Sequence, residues 1–195
     1  SVSVDRASAA SDVPGSVFEL GDFPLASGAV LRNARLVYET YGALAPDRDN
    51  VVLYPTSYGA QHPDIAWLIG PNRVLDPSRH FIVVANMFGN GLSTSPSTNT
   101  TRAGAPPWPL VTHVDNVHAQ ERLLRERFGV DRLALVYGWS MGAQQAYHWA
   151  VMYPDRVARV AALCGTARTT EHNTLFLRSL EAALLADPAW NGERF

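Results

Sequence analysis

Apolar positions change their period along the chain, and each change marks an element. From Phe18 to Phe23, and again from Ala34 to Tyr41, where the sequence reads Ala-Arg-Leu-Val-Tyr-Glu-Thr-Tyr, partial alternation predicts two strands of a meander. Alternation then gives way to short continuous apolar runs, Asn50-Val51-Val52-Leu53-Tyr54 and Phe81-Ile82-Val83-Val84-Ala85. Such runs are expected of strands covered on both faces in a largely parallel sheet. Between them, Ile65 to Ile69 predicts a short helix before Gly70-Pro71. The period lengthens from Thr112 to Phe128, where Val114, Val117, Leu124 and Phe128 share one helical face. Thr112 and Asp115 stand at capping-box spacing at its start, and Gly129 ends it. A strand over Leu133 to Tyr137, a helix over Met141 to Met152 stopped before Pro154, and a strand over Val157 to Cys164 complete the series. This β-α-β-α-β order predicts the α/β class, with a doubly wound, mostly parallel sheet.

What remains is punctuation. Residues 1–15 are small and polar and close on Pro14-Gly15, which predicts a flexible leader, and residues 16–195 then read as one unit without repeat or linker. Gly89 to Pro109 is rich in Gly, Ser, Thr, Asn and Pro, and its length points to a functional loop. Composition narrows the partners. A net charge of -2 without a polybasic run offers no footprint for nucleic acid or an anionic membrane, so small molecules in a cytoplasmic setting are expected. Cys164 is the single cysteine and cannot form an internal disulfide; a buried position is expected for it, and core positions for Met141 and Met152. No phosphate loop or metal-ligand spacing occurs, since His113 and His118 are five apart on a helix and do not share a face well, so neither metal nor cofactor is expected.

The chemistry concentrates in Gly138-Trp139-Ser140-Met141-Gly142, a Gly-x-Ser-x-Gly pattern that directly follows an apolar strand and opens a helix. That context predicts a nucleophile elbow, a strand-to-helix turn where side chains at the glycine positions would collide with backbone. Ser140 is then the catalytic nucleophile, and the Met141 amide points at the developing oxyanion from a positive helix N-terminus. A second backbone donor is expected after the strand ending at Tyr54, in Pro55-Thr56-Ser57-Tyr58-Gly59, with Thr56 the first choice and Ser57 next. The plainer alternatives are a helix-capping serine and an ordinary Pro-Thr-Ser turn.

Several ordered segments resemble the homoserine O-acetyltransferase group of α/β-hydrolase-fold enzymes over almost the whole chain. They are Val51 to Gly59, Trp67-Leu68-Ile69-Gly70-Pro71, Asn86-Met87-Phe88-Gly89 with Ser93-Thr94-Ser95-Pro96-Ser97, the elbow itself, and Thr166-Ala167-Arg168 with Asp187 to Gly192. The resemblance implies the N-terminal part of an α/β-hydrolase fold and acyl transfer through a Ser140 acyl-enzyme, with an oxyanion hole of the Met141 and Thr56 amides. Acyl-CoA would serve as cosubstrate in the transferase version, and water would replace the hydroxyl acceptor in an ester hydrolase. Three departures separate this chain from the group: Trp139 where a glycine is usual, Tyr54-Pro55-Thr56 for His-Ala-Leu, and Thr-Leu-Phe-Leu-Arg after Asn173. Trp139, with Ser57 and Tyr58, is therefore expected to shape an acyl pocket unlike that of homoserine enzymes. In the group the triad acid and histidine follow two later strands beyond a helical lid, and this sequence stops where the lid begins. None of His62, His80, His113, His118, His148 and His172 replaces them convincingly, His172 beside Glu171 being the nearest candidate. A downstream segment or second chain completing the sheet, and a homodimer through the lid, are the expected partners. The rival reading is a noncatalytic binding or assembly module that keeps the elbow as architecture.

Overall fold

The computed structural model describes residues 15–99 and 107–192. All but Gly15 of the expected leader, and residues 100–106 of the long loop, lie outside the described residues.

Six strands form one mixed sheet in the order β1-β2-β4-β3-β5-β6. The meander strands β1 (Ser16–Pro24) and β2 (Val30–Tyr41) are antiparallel to each other, and β2 is antiparallel to β4 (Phe81–Ala85). From there inward β3 (Val51–Pro55), β4, β5 (Leu135–Trp139) and β6 (Val160–Leu163) run parallel. The continuous apolar runs have the expected cause, because successive residues serve opposite faces. Val51, Leu53, Val83 and Val136 join a core with Val117, Leu123, Ala146 and Trp149. Val52, Tyr54, Ile82 and Val84 join a second with Ile65, Leu75 and Tyr137 on the other face.

The helix α2 (His113–Arg122) continues through a π-helical turn, Leu123–Arg127. Its start carries the expected capping box: the Thr112 amide donates to Asp115 Oδ2 at 2.8 Å, and Asp115 Oδ1 also accepts from the Ala26 amide at 2.7 Å. Gly129 closes it in a left-handed turn, φ 62°. The short helix α1 (His62–Ile65) with a following 3-10 turn, Ala66–Leu68, lies slightly earlier than the sequence predicts, and β5 lies two residues later. Leu133, the expected first residue of β5, makes only an isolated bridge to Val157. The helix α3 (Met141–Met152) follows β5 after a single residue, and α4 (Glu171–Ala186) closes the described chain.

One expectation needs correction here. Cys164 is exposed, not buried: it follows β6, which is paired only with β5, so nothing described lies beyond it. Serines of the long loop serve the scaffold, since Ser93 Oγ donates to the Asn86 carbonyl at 2.7 Å and accepts from the Val37 amide at 2.9 Å, pinning the loop to β2.

Candidate active site

The site is assembled where β5 hands over to α3. Ser140 is the one residue between them, and its backbone adopts φ 54°, ψ −117°, a conformation that L residues rarely hold and that costs about 1–3 kcal/mol. Bonds on both sides hold it there: the Ser140 amide donates to the Leu163 carbonyl at 2.8 Å, and its carbonyl accepts from Ala143 at 3.0 Å. The turn closes because the flanking residues lack Cβ atoms. A Cβ at Gly138 would lie 2.2 Å from the Gly142 carbonyl oxygen, and one at Gly142 would lie 2.9 Å from that of Pro55. Gly165, which sequence reasoning passed over, meets the same limit, 2.6 Å from the Ser140 carbonyl oxygen. Only its place just after the strand beside the elbow could have signalled this.

Ser140 stands at the cap position of α3, yet its side chain caps nothing. A hydroxyl held on a strained turn without a structural partner argues against the helix-capping alternative.

A cleft of about 220 Å³ opens over this turn, lined by Tyr54, Ser57, Tyr58, Asp64, Trp67, Leu68, Trp139 and Ser140. The expected pocket residues Trp139, Ser57 and Tyr58 are thus brought to Ser140. Ser57 Oγ donates to the Trp139 carbonyl, tying the loop after β3 to the elbow. On the cleft floor Tyr54 packs edge-on to Tyr137 at 5.2 Å, and burial, with a smaller contribution from Tyr137, pushes its phenol up to about 12.

Thr56 is the sequence expectation that the geometry redirects. Its amide donates to the Ala85 carbonyl at 3.0 Å, its hydroxyl accepts from the Met87 amide at 3.0 Å, and its carbonyl accepts from Gln145 Nε2 at 2.9 Å. Continuing the sheet ladder one residue past β3 commits this amide. The Ser57 amide makes no such bond, and Met141, as the first residue of α3, has an amide without an intrahelical acceptor.

No histidine lines the cleft. His62 is a satisfied core residue, buried with its Nδ1 accepting from Asn86 Nδ2 at 3.0 Å. His172 lies exposed on α4. His113 and His148 meet at 5.3 Å with tilted rings between α2 and α3, with His113 Nε2 3.1 Å from Gln144 Oε1 and its buried Nδ1 without a partner among the described residues.

Burial pushes the His113 imidazole below its usual 6.5; the Gln144 hydrogen bond opposes this, and His148 adds to it. The unfolded chain therefore takes up this proton at a higher pH than the folded one, and stability falls as pH drops below about 6.5. His113→Gln is expected to flatten that part of the curve, read from denaturant midpoints between pH 5 and 8. Equal slopes in both proteins would assign the dependence to another group.

A mostly parallel sheet with a serine raised on a strand-to-helix turn at its carboxyl end defines the α/β hydrolase class. Residues 62–195 match the alpha/beta hydrolase fold family, and the chain belongs to it. An ethyl acetate hydrolase of Pseudomonas veronii is 44% identical over 91% of this chain and 51% of its own length. The crystal structure of an acetylester hydrolase from Corynebacterium glutamicum superposes with a TM-score of 0.88 at 41% identity, over 93% of this chain and 53% of that one. A homoserine O-succinyltransferase of Burkholderia vietnamiensis is 36% identical over 88% of this chain and 49% of its own. The chain therefore spans about half the length of the relatives it matches. Among the described residues no helix is long and apolar enough to cross a membrane.

Proposed function

We propose that this chain carries the nucleophile, oxyanion hole and acyl pocket of an enzyme that cleaves short-chain acyl esters. Ser140 Oγ attacks the ester carbonyl, the alcohol leaves, and water releases the acid from the acyl-enzyme. The observation that carries the reading is the uncapped serine at φ 54° opening into an aromatic cleft. The Met141 and Ser57 amides serve as oxyanion donors, with Ser57 taking the place first expected of Thr56. Small volume and aromatic walls favour an acetyl-sized acyl group, in keeping with the activities that name the two hydrolases above. Transfer to a hydroxyl acceptor, with acyl-CoA as donor, is the second reading and is favoured by the likeness to homoserine O-succinyltransferase. Both use the same Ser140 chemistry.

A fluorophosphonate probe on the full-length polypeptide tests the proposal. Stable labelling at Ser140 supports it, whereas absence of labelling supports the noncatalytic module.

The Trp139 ring is 41% exposed and faces this cleft, so it sets acyl length rather than supporting the core. Trp139→Gly is expected to raise the rate on butyryl or hexanoyl esters relative to acetyl esters by roughly 10-fold or more, the value of a few methylenes in a pocket. Unchanged relative rates would show that the ring does not bound the acyl group.

A further inference from the structure

A buried chain of side-chain hydrogen bonds ends on the peptide that supplies one of the proposed oxyanion donors. The Trp149 indole N–H donates to Gln120 Oε1 at 2.8 Å, Gln120 Nε2 donates to Gln145 Oε1 at 2.7 Å, and Gln145 Nε2 donates to the Thr56 carbonyl at 2.9 Å. Gln120, Gln145, Trp149 and Thr56 are each at most 1% exposed. The ends fix the direction of the whole chain, because an indole only donates and a carbonyl only accepts. Neither amide can flip without leaving two buried groups facing like partners. A polar series inside an apolar helix-sheet interface costs stability unless every member is satisfied, and here every link is made.

The Thr56 carbonyl and the Ser57 N–H belong to one planar trans peptide, so fixing one fixes the other on the opposite side of the plane. We infer that Gln145 is a positioning residue: by holding the Thr56 carbonyl against α3, it aims the Ser57 amide at the oxyanion. This rests on the reading of Ser140 as nucleophile. The loop packs closely on Gly142, where an added carbon would sit 2.9 Å from the Pro55 oxygen, 3.3 Å from Ser57 Oγ and 3.4 Å from the Thr56 oxygen. The loop lies directly on the first turn of α3, so Gln145, one turn along, reaches its carbonyl.

The test uses the full-length polypeptide with p-nitrophenyl acetate and a boronic acid as tetrahedral analogue. Gln145→Met keeps the side-chain length and removes the donor. It should lower kcat by roughly 10–100-fold with little change in KM, a misplaced donor costing less than a deleted one, and should weaken boronate inhibition in proportion. Gln145→Glu, buried and protonated, still donates to Thr56, so its kcat should stay near that of the parent at neutral pH. It should then fall through a new alkaline limb as the carboxyl ionises, with circular dichroism unchanged. That limb also decides the matter if the Met variant fails to fold. A parent-like kcat in Gln145→Met, or a Glu variant without the limb, overturns the role of Gln145 while Ser140→Ala remains inactive. Persistent turnover in Ser140→Ala would instead overturn the underlying reading.

Discussion

Ser140→Ala in the full-length polypeptide is expected to lower ester turnover by roughly 10⁴–10⁶-fold, the range in which a lost nucleophile leaves only binding and the oxyanion hole. The fold should survive it. The Ser140 side chain makes no capping bond, so alanine orphans no buried partner, and the strain at φ 54° is a property of the backbone that both residues share. Its stability should therefore change by no more than a surface substitution does, about 0.5 kcal/mol. Steady-state rates with p-nitrophenyl acetate read the first part, thermal unfolding reads the second, and the mass of the trapped parent protein locates the acyl adduct. Turnover above about one per cent of the parent, with no acyl adduct on Ser140, would mean that this hydroxyl is not the one that reacts.

The elements legible in the sequence are those whose environment imposes one period. β3 and β4 read correctly because both faces of the sheet are covered, and α2 because Val117 and Leu124 turn one face inward beneath a complete capping box. The elbow was legible because a recurrent pattern marks it: Gly138 is required by the backbone of Gly142 and Ala143 four and five residues on, and Gly142 by the end of β3 and the loop after it. α4 was not predicted. Phe176, Leu177, Leu180 and Leu184 do share one helical face, a period that went unread, and all six large apolar side chains of the helix, Leu175 and Leu185 included, are exposed.

The bonding of the Thr56 amide was illegible for a different reason. Choosing Thr56 over Ser57 depends on whether the ladder between β3 and β4 ends at Pro55 or one residue later, and spacing along the chain does not encode that. Gln145 carried a signal that went unused: a polar amide among buried Ala143, Ala146 and Trp149 on the inward face of α3.

Residues 1–195 expressed by themselves are expected to associate into soluble oligomers or aggregates and to show no Ser140-dependent turnover of p-nitrophenyl acetate. The two sheet edges show why. β1 is broken by register shifts at Glu19/Gly21 and Gly21/Phe23 and carries Glu19 and Asp22, devices that discourage another strand from pairing. β6 has none of these: among the described residues Val160-Ala161-Ala162-Leu163 pairs with β5 alone, in regular register, and offers its other side unpaired. Beside it in sequence, α4 buries no residue and exposes six large apolar side chains. Covering each would contribute about 1.5–3 kcal/mol, so together they rival the roughly 5–15 kcal/mol stability of a whole domain. An undefended strand edge and an uncovered apolar helix each call for a partner, and we propose that further polypeptide extends the sheet past β6 and packs on α4; the relatives matched are about twice as long as this chain. The absence of histidine from the cleft points the same way, because the proposed nucleophile then receives its base, and the acid that orients it, from that added layer. Light scattering and rate measurements on the 195-residue chain, beside the full-length polypeptide, test both parts at once. A monodisperse monomer that unfolds cooperatively and turns over ester through Ser140 would require a general base within these residues and would refute the proposed completion.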